Sequence, residues 1–591
     1  MKWLVNLQTH QRVLRLWHSD AGFFLLALLL LGAGLWRATG ITGLDEYWNS
    51  MRTALETFSQ HSWWLPQLDG EPRLRKPPLL YWEMSASFAT FGAHFWSARL
   101  PSLLLAAGFA VVMRQLSRQV LNNDGRLAGW LTLTVIVVTV EARRAMLDLP
   151  IAMFTACAVL WAWQAIRDGS RLRLALAVFA VTCGWMTKGP VILVFVGAAA
   201  VSTYFVKPLQ TAAQTKPLSR WDWLAALGLL LMLCSVWPIS VALQPNVDLF
   251  GSLNADATER QVNWLNAKSI LQVLGGLLST ALPWSFVLIV AAARGLWRRQ
   301  LPTDATQRWL LYWLALAAVP FLFMRTFERY LIPMLPPVIL IVSARLEMLQ
   351  AKARPHLLTA TILIGLPCLL ISLFALTFNT ATLAPILVSL CLGAALFATF
   401  LARHTQTCMA LASALCLTLG LVYPSIGVNA LPDAVTHTLA KAPANTPIYH
   451  FAHSQPGVLS MNLGRSVRII DPTNRAMHAL AQQNGYLILN KQDQNKLRTL
   501  LNNSAIQWEP VVDFGMFYAR TTFLKFARSD ATPADWRDAV HSGSLDNLKS
   551  QFLLVRLHTP TTEQQAAYSD NSELDTPIHN IGHDLGQSFG G

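Results

Sequence analysis

The chain reads as a polytopic α-helical membrane protein of about thirteen transmembrane helices, with a soluble α/β domain at its C-terminal end. Three observations predict that class. Of 591 residues, 53% are hydrophobic and only 13% charged, with a mean hydropathy of +0.38, and the apolar residues gather into runs long enough to span hydrocarbon. Basic residues sit in alternate connections between those runs. After Pro424 the composition changes to short β-rich and helical stretches of soluble character.

In chain order the runs lie near 21–39, 96–116, 127–142, 149–166, 172–187, 189–206, 223–243, 270–295, 309–325, 330–346, 357–378, 382–402 and 407–424. Arg12 and Arg15 precede the first; Arg114, Arg118 and Arg126 follow the second, then Arg167, Arg171 and Arg173, and Lys207, Lys216 and Arg220. Arg294, Arg298 and Arg299, then Lys352 and Arg354, complete the set. The positive-inside rule makes these connections cytoplasmic, and an odd count of spans puts the N-terminus inside and everything after about Tyr423 outside. The first run has basic residues ahead of it but no convincing small-residue cleavage site, so a retained signal anchor is expected. The formal net charge of +14, from 46 basic and 32 acidic residues, therefore reflects topology, and no nucleic-acid partner is expected.

Residues 1–429 form the expected membrane domain, with a first external loop at about 40–95, and residues 430–591 the external α/β domain. In the latter, 446–451, 466–470, 485–489 and 511–518 read as strands and 475–483 and 491–501 as helices. The tail from about 559, rich in Gln, Ser, Asp and Gly, is expected to be poorly ordered. All seven cysteines fall in or beside apolar runs, so the external parts have no disulfide framework and no CxxC motif.

On this topology the residues that look chemical gather at one side. The first external loop holds Asp45, Glu46, Arg52, Asp69, Arg75, Lys76 and Glu83; the second places Asp148 at the mouth of the fourth span; the third is the turn Lys188-Gly189-Pro190; a later one is Glu328-Arg329-Tyr330. Carboxylates can orient or deprotonate an acceptor hydroxyl, and cations can stabilise a departing phosphate, so the set suits group transfer from a lipid-borne phosphate. Singly, each piece also has a structural use. Asp45-Glu46 could cap a helix, and Arg75-Lys76-Pro77-Pro78 could be a turn against lipid headgroups. Asp148 could be an N-cap ahead of Pro150, Lys188 a snorkelling lysine, and Trp63, Trp64 and Trp82 interface anchors. Their joint placement on one face points to a site. No Gly-rich phosphate loop is present, so no nucleotide cofactor is expected.

Asp45-Glu46-Tyr47-Trp48, the stretch from Trp63 to Arg73, Lys76-Pro77-Pro78-Leu79-Leu80-Tyr81-Trp82 and Ala98-Arg99-Leu100-Pro101-Ser102 follow in order. So do Leu147-Asp148-Leu149-Pro150, Met186-Thr187-Lys188-Gly189-Pro190, Glu328-Arg329-Tyr330-Leu331-Ile332-Pro333 and the segment from Pro456 to Arg465. Together they resemble the bacterial lipid-carrier-dependent glycosyltransferases related to the aminoarabinose transferase of lipid A and the protein O-mannosyltransferases, which share the GT-C architecture. The resemblance implies a bacterial inner-membrane enzyme with a periplasmic active site. It would move a hexose or pentose from a polyprenyl (undecaprenyl) phosphate to an envelope acceptor: lipid A, another glycan or a protein. It implies Asp45 as the acceptor-activating acid, Asp148 as the second and Glu46 in support. It implies Lys76 as a contact of the donor phosphate, and Arg75, Arg329, Lys188 and Tyr330 are the further candidates to face that phosphate.

Two positions depart from the family. Arg75 stands where its members commonly carry Glu, which leaves a divalent metal an open question, and Trp48 stands where the aminoarabinose transferases carry Arg. Arg52, one turn on, could replace the missing charge. The competing class is a transporter or flippase of polyprenyl-linked sugars. Transporters place ionisable residues near the membrane midplane, whereas here the spans are mostly free of charge.

Overall fold

The computed structural model describes residues 19–37, 49–206, 217–245, 247–249, 251–252, 254, 267–298, 304–324, 326–443, 446–451, 456–470, 485–501, 507–518 and 525–558. Asp45, Glu46, Trp48, the expected helix at 475–483 and the tail from 559 lie outside the described residues. The chain forms two compact units: one comprises Met1–Leu431, Gln455–Ser466 and Met516–Ser550, the other Pro432–Ser454, Val467–Gly515 and Gln551–Gly591.

The first unit is helical, and helix occupies each of the thirteen apolar runs. The chain opens with α1 (Asp20–Gly32); the first loop then holds α2 (Met51–Ser59), the hairpin β1 (Gln67–Leu68) and β2 (Glu71–Pro72), and α3 (Leu79–Phe91). Then come α4 (Phe95–Val120), α5 (Arg126–Thr134), α6 (Ile136–Glu141), α7 (Asp148–Asp168), α8 (Arg171–Lys188), α9 (Val191–Phe205) and α10 (Arg220–Ala242). The unit continues with α11 (Ala267–Thr280), α12 (Ser285–Arg298), α13 (Ala305–Ala318), α14 (Leu335–Leu349), α15 (Arg354–Thr377), α16 (Leu383–Phe400) and α17 (His404–Leu417). Among the described residues, six helical runs are long and apolar enough to cross a membrane. On α10 only Cys234, Trp237 and Val241 are buried, while Leu224, Leu227, Leu231, Met232, Val236 and Ile239 are about half exposed. Such a surface needs hydrocarbon around it, and this is a multi-pass membrane protein.

Two spans are broken, and the breaks meet. Val135 interrupts α5 and α6 with an extended ψ of 113°, and Leu282-Pro283 separates α11 from α12. The freed N–H of Ile136 donates to the Leu282 carbonyl at 3.0 Å, and the Trp284 indole donates to Thr134 Oγ1 at 2.8 Å. Backbone groups released in one helix are thus satisfied by the other, as hydrocarbon demands. A second junction joins the end of α1 to the π-helical turn Thr418–Val422. Arg143, buried, donates to the carbonyls of Ala33 at 2.7 Å, Leu30 at 3.4 Å and Cys416 at 3.0 Å. It supplies donors that two helix C-termini lack.

Polar pairs collect at the two ends of the bundle. At one end Asp20 pairs with Arg114 at 3.4 Å and Arg118 at 2.8 Å, and Asp222 with Arg171 at 2.7 Å. Those arginines belong to the basic connections of the sequence. The other end carries the first loop, Asp148 and Lys188.

The second unit is α/β. Its sheet runs β4-β3-β5-β7-β6, built from β3 (Ile448–Phe451), β4 (Arg468–Ile470), β5 (Gly485–Asn490), β6 (Gln507–Met516) and β7 (Ser550–His558). β3 pairs in parallel with β4 and β5, and β5 pairs antiparallel with β7 in the register Leu487↔Val555. Strand β3, between β4 and β5, is buried at all four positions, including His450, whose imidazole is pushed down to about 3 by burial.

Candidate active site

The α7–α8 hairpin turns at Gly169, which takes a left-handed φ of 63°. Asp148 and Lys188 lie about equally far from that turn, so antiparallel packing returns them to the same end. Asp148 opens α7, with Pro150 in the first turn where a missing N–H costs nothing. Lys188 closes α8 before Gly189, whose φ of 75° releases the chain from the helix. The two side chains form a hydrogen-bonded ion pair, 4% and 10% exposed. At that exposure each charge depends on the other, because water contributes little solvation.

A third element closes on the pair. The 3₁₀ segment Glu328–Met334 places the Tyr330 ring under Lys188, with Nζ 4.3 Å from the ring centroid. Arg329 lies 5.7 Å from the same ring and 5.6 Å from that of Phe327, and Phe327 and Tyr330 meet edge to face at 5.5 Å. The structure therefore brings Asp148, Lys188, Arg329 and Tyr330 into one cluster. Cation–π contact with Tyr330 brings the two cations together at the end of α8.

The first loop approaches through an apolar cluster. Leu74, Trp237, Val241 and Leu249 pack together with Trp82 and Met186 against them. Leu74 adjoins Arg75-Lys76 and Met186 is two residues from Lys188, so the loop bend and the Lys188 turn share one support. Arg75 is exposed and Lys76 half-buried, on the bend between β2 and α3. Trp64 and Trp82 stack at 5.8 Å. The Trp237 indole donates to the Trp64 carbonyl at 3.0 Å and that of Trp64 to Ser240 Oγ at 2.8 Å, which fastens the loop to α10.

Arg52 is built into the first loop. It lies on α2, which begins at Met51, is 2% exposed and forms an ion pair with Asp69. Asp69-Gly70, with φ of 58° and 80°, is the two-residue turn of the β1–β2 hairpin, a place that favours these two residue types. Glu56 accepts from Gly70 N at 3.2 Å and Ser466 Oγ at 3.3 Å, and burial raises its carboxyl above the ordinary range. These groups build the loop; their pairing is spatial and has no local sequence signal.

Glu83 was legible only as one loop acid among several. On α3 it is half-buried, near Cys183 of α8, and desolvation pushes its carboxyl up to about 7. Among the described residues no three His, Cys, Asp or Glu side chains converge as a metal site.

Residues 75–239 match the sequence profile of the family described as dolichyl-phosphate-mannose-protein mannosyltransferase. An uncharacterized protein of Aquifex aeolicus (strain VF5) is 30% identical over 152 residues, 26% of this chain and 35% of that protein. YkcB of Bacillus subtilis (strain 168), whose name proposes a mannosyltransferase, is 30% identical over 114 residues, 19% of this chain and 16% of its own. The chain thus matches about a third and a sixth of these relatives' lengths. Among solved structures, ArnT from Cupriavidus metallidurans bound to undecaprenyl phosphate superposes with a TM-score of 0.66 at 15% identity, over 91% of this chain and 98% of that one. The chain thus shares the fold of ArnT over nine-tenths of its length, and the profile match takes in Arg75, Lys76, Asp148 and Lys188.

Proposed function

We propose that the protein is a bacterial inner-membrane glycosyltransferase that moves one sugar from a polyprenyl phosphate, undecaprenyl phosphate in its natural membrane, to an envelope acceptor at the periplasmic face. The observation that carries the reading is the buried Asp148–Lys188 pair standing on Tyr330 beside Arg329 within a GT-C fold. In the reaction an acceptor hydroxyl oxygen attacks the anomeric carbon, the bond from that carbon to the phosphate oxygen breaks, and the phosphate leaves with the bonding pair. The acceptor proton passes to a carboxylate: Asp45, with Glu46 beside it, or Asp148. Lys188, Arg329, Lys76 and Arg75 neutralise the leaving phosphate, a role that gains strength in a water-poor cleft. Tyr330 holds Lys188 in position.

The acceptor is lipid A, another glycan or a protein, and the sugar a hexose or pentose. Comparative mass spectrometry of lipid A, envelope glycans and periplasmic proteins from a deletion strain, complemented with wild type or Asp148→Asn, tests the proposal. A sugar lost on deletion, restored by wild type and not by the variant is expected. An unchanged profile in all three pools would overturn it.

A further inference from the structure

A cleft of about 300 Å³ opens in the first unit, lined by Trp36, His94, Phe95, Trp96, Met461 and Asn462. Among the described residues its lining is aromatic, thioether and amide, with no charged side chain. Its walls are held in place. His94 caps α4: its ring accepts from the Ser97 N–H while Ser97 Oγ accepts from the His94 N–H at 2.9 Å. The His94 and Trp96 rings lie nearly parallel, 15° apart with centroids 6.4 Å apart, and Trp96 rests on Phe91 at 5.2 Å. Phe95 and Met461 are buried beneath.

The polar groups are complementary in kind. One imidazole nitrogen of His94 accepts the capping bond, so in the neutral ring the other carries the proton and donates. Asn462 spends an amide hydrogen on the Val458 carbonyl at 3.0 Å, leaving its amide oxygen as an acceptor. Trp36 is 66% exposed and adds an indole face at the rim. A donor, an acceptor and indole faces match a sugar ring, whose hydroxyls donate and accept while its C–H face needs an apolar plane. The volume lies at the lower end for ligand sites and suits a single ring.

Location ties the cleft to the reaction. Phe95 and Met461 belong to one buried cluster with Ala145, and Leu147, the residue before Asp148, packs against it. We propose that this cleft is a subsite for an uncharged sugar ring of the acceptor, so that the acceptor is a glycan or glycolipid. The inference rests on the glycosyltransferase reading and narrows its substrate class.

The test uses the full chain in nanodiscs without donor, with methyl β-glucopyranoside and N-acetylglucosamine as probes in saturation-transfer difference NMR. Wild type is expected to transfer saturation to ring protons of a probe. Trp36→Ala is expected to reduce the signal about threefold or more, as loss of a stacking face should. Trp221→Ala removes an equally exposed indole, 67%, from α10 and is expected to leave the signal intact. Transfer to neither probe, equal loss in both variants, or saturation reaching only lipid resonances would overturn the subsite. In turnover assays Trp36→Ala should raise acceptor KM about three- to tenfold with kcat and donor KM unchanged; an unchanged acceptor KM also overturns it. A chain that binds the probes but transfers no sugar would sink the enzymatic reading and leave the cleft standing.

Discussion

Asp148 and Lys188 are stabilised as a pair, and each is a burden without its partner. Removing one member of a buried pair leaves an uncompensated charge, at a cost of about 3–5 kcal/mol, whereas removing both can be nearly neutral. Asp148→Asn and Lys188→Met should each lower the unfolding temperature in detergent, and the double variant should lie closer to wild type than either. All three should lose sugar transfer by at least about a hundredfold, the range that general-base and electrostatic groups supply. A double variant less stable than both singles would refute the pairing argument. Glu83 gives a pH-dependent prediction. Its carboxyl is raised by burial from 4.5 to about 7, so between those values the folded chain keeps a proton that the unfolded chain releases. Stability from this group is complete below about pH 4.5, falls as pH rises toward 7 and stays low above. Each pH unit is worth about 1.4 kcal/mol, so the total is at most about 3.5 kcal/mol, less what partial solvent contact returns. Glu83→Gln should match wild type in thermal unfolding near pH 5 and exceed it near pH 8; a difference independent of pH would exclude the effect.

Packing between elements sets the next constraint, most tightly where the end of α1 crosses the Thr418–Val422 turn. A Cβ on Gly420 would lie 2.0 Å from the Ala33 carbonyl oxygen, and one on Gly34 1.6 Å from that of Gly420. Backbone meets backbone, so no side-chain rotation can relieve it. Gly420→Ala should cost about 3 kcal/mol or more by overpacking. Gly427→Ala, at φ +80° with nothing within 4 Å, should cost only the backbone penalty of about 1 kcal/mol. Equal losses in denaturant unfolding would show that the crossing is looser than described. The helices themselves were legible because hydrocarbon demands long apolar runs, and those runs need no knowledge of partners. Their breaks at Val135 and Leu282-Pro283 were not, since either run reads as one apolar stretch and the satisfaction of Ile136 N–H by Leu282 is a tertiary event. Strand β7 was missed for a related reason: Phe552, Leu553, Leu554 and Val555 are all buried, and a strand covered on both faces loses the alternation that identifies strands. In the site, Asp148, Lys188 and Tyr330 could be nominated from their motifs. That Arg52 belongs to Asp69 could not, because no local pattern joins a helix to a hairpin turn.

At the scale of the whole molecule, the distribution of charge among the described residues favours the proposed transfer over transport. Broken helices that meet inside a bundle also occur in transporters, where ionisable groups or unwound carbonyls line the break. Here the break holds Thr134, Ile136, Leu282, Pro283 and Trp284, and the acids and bases stand at the bundle ends instead. The proposed function requires the loop end and the arginine-rich end to face opposite compartments, with the loop end on the periplasmic side where the proposed acceptors are. Glu71 is exposed on the β1–β2 hairpin, and the Arg126 side chain is 48% exposed at the start of α5. The native cysteines, all buried or half-buried, provide a low background for thiol labelling. In spheroplasts, a membrane-impermeant maleimide should label Glu71→Cys directly and Arg126→Cys only after permeabilisation. The reverse pattern would place the Asp148–Lys188 cluster in the cytoplasm and exclude a periplasmic reaction. Labelling of both from one side would contradict the transmembrane arrangement of α4, which carries the chain from the loop end to the connection before Arg126.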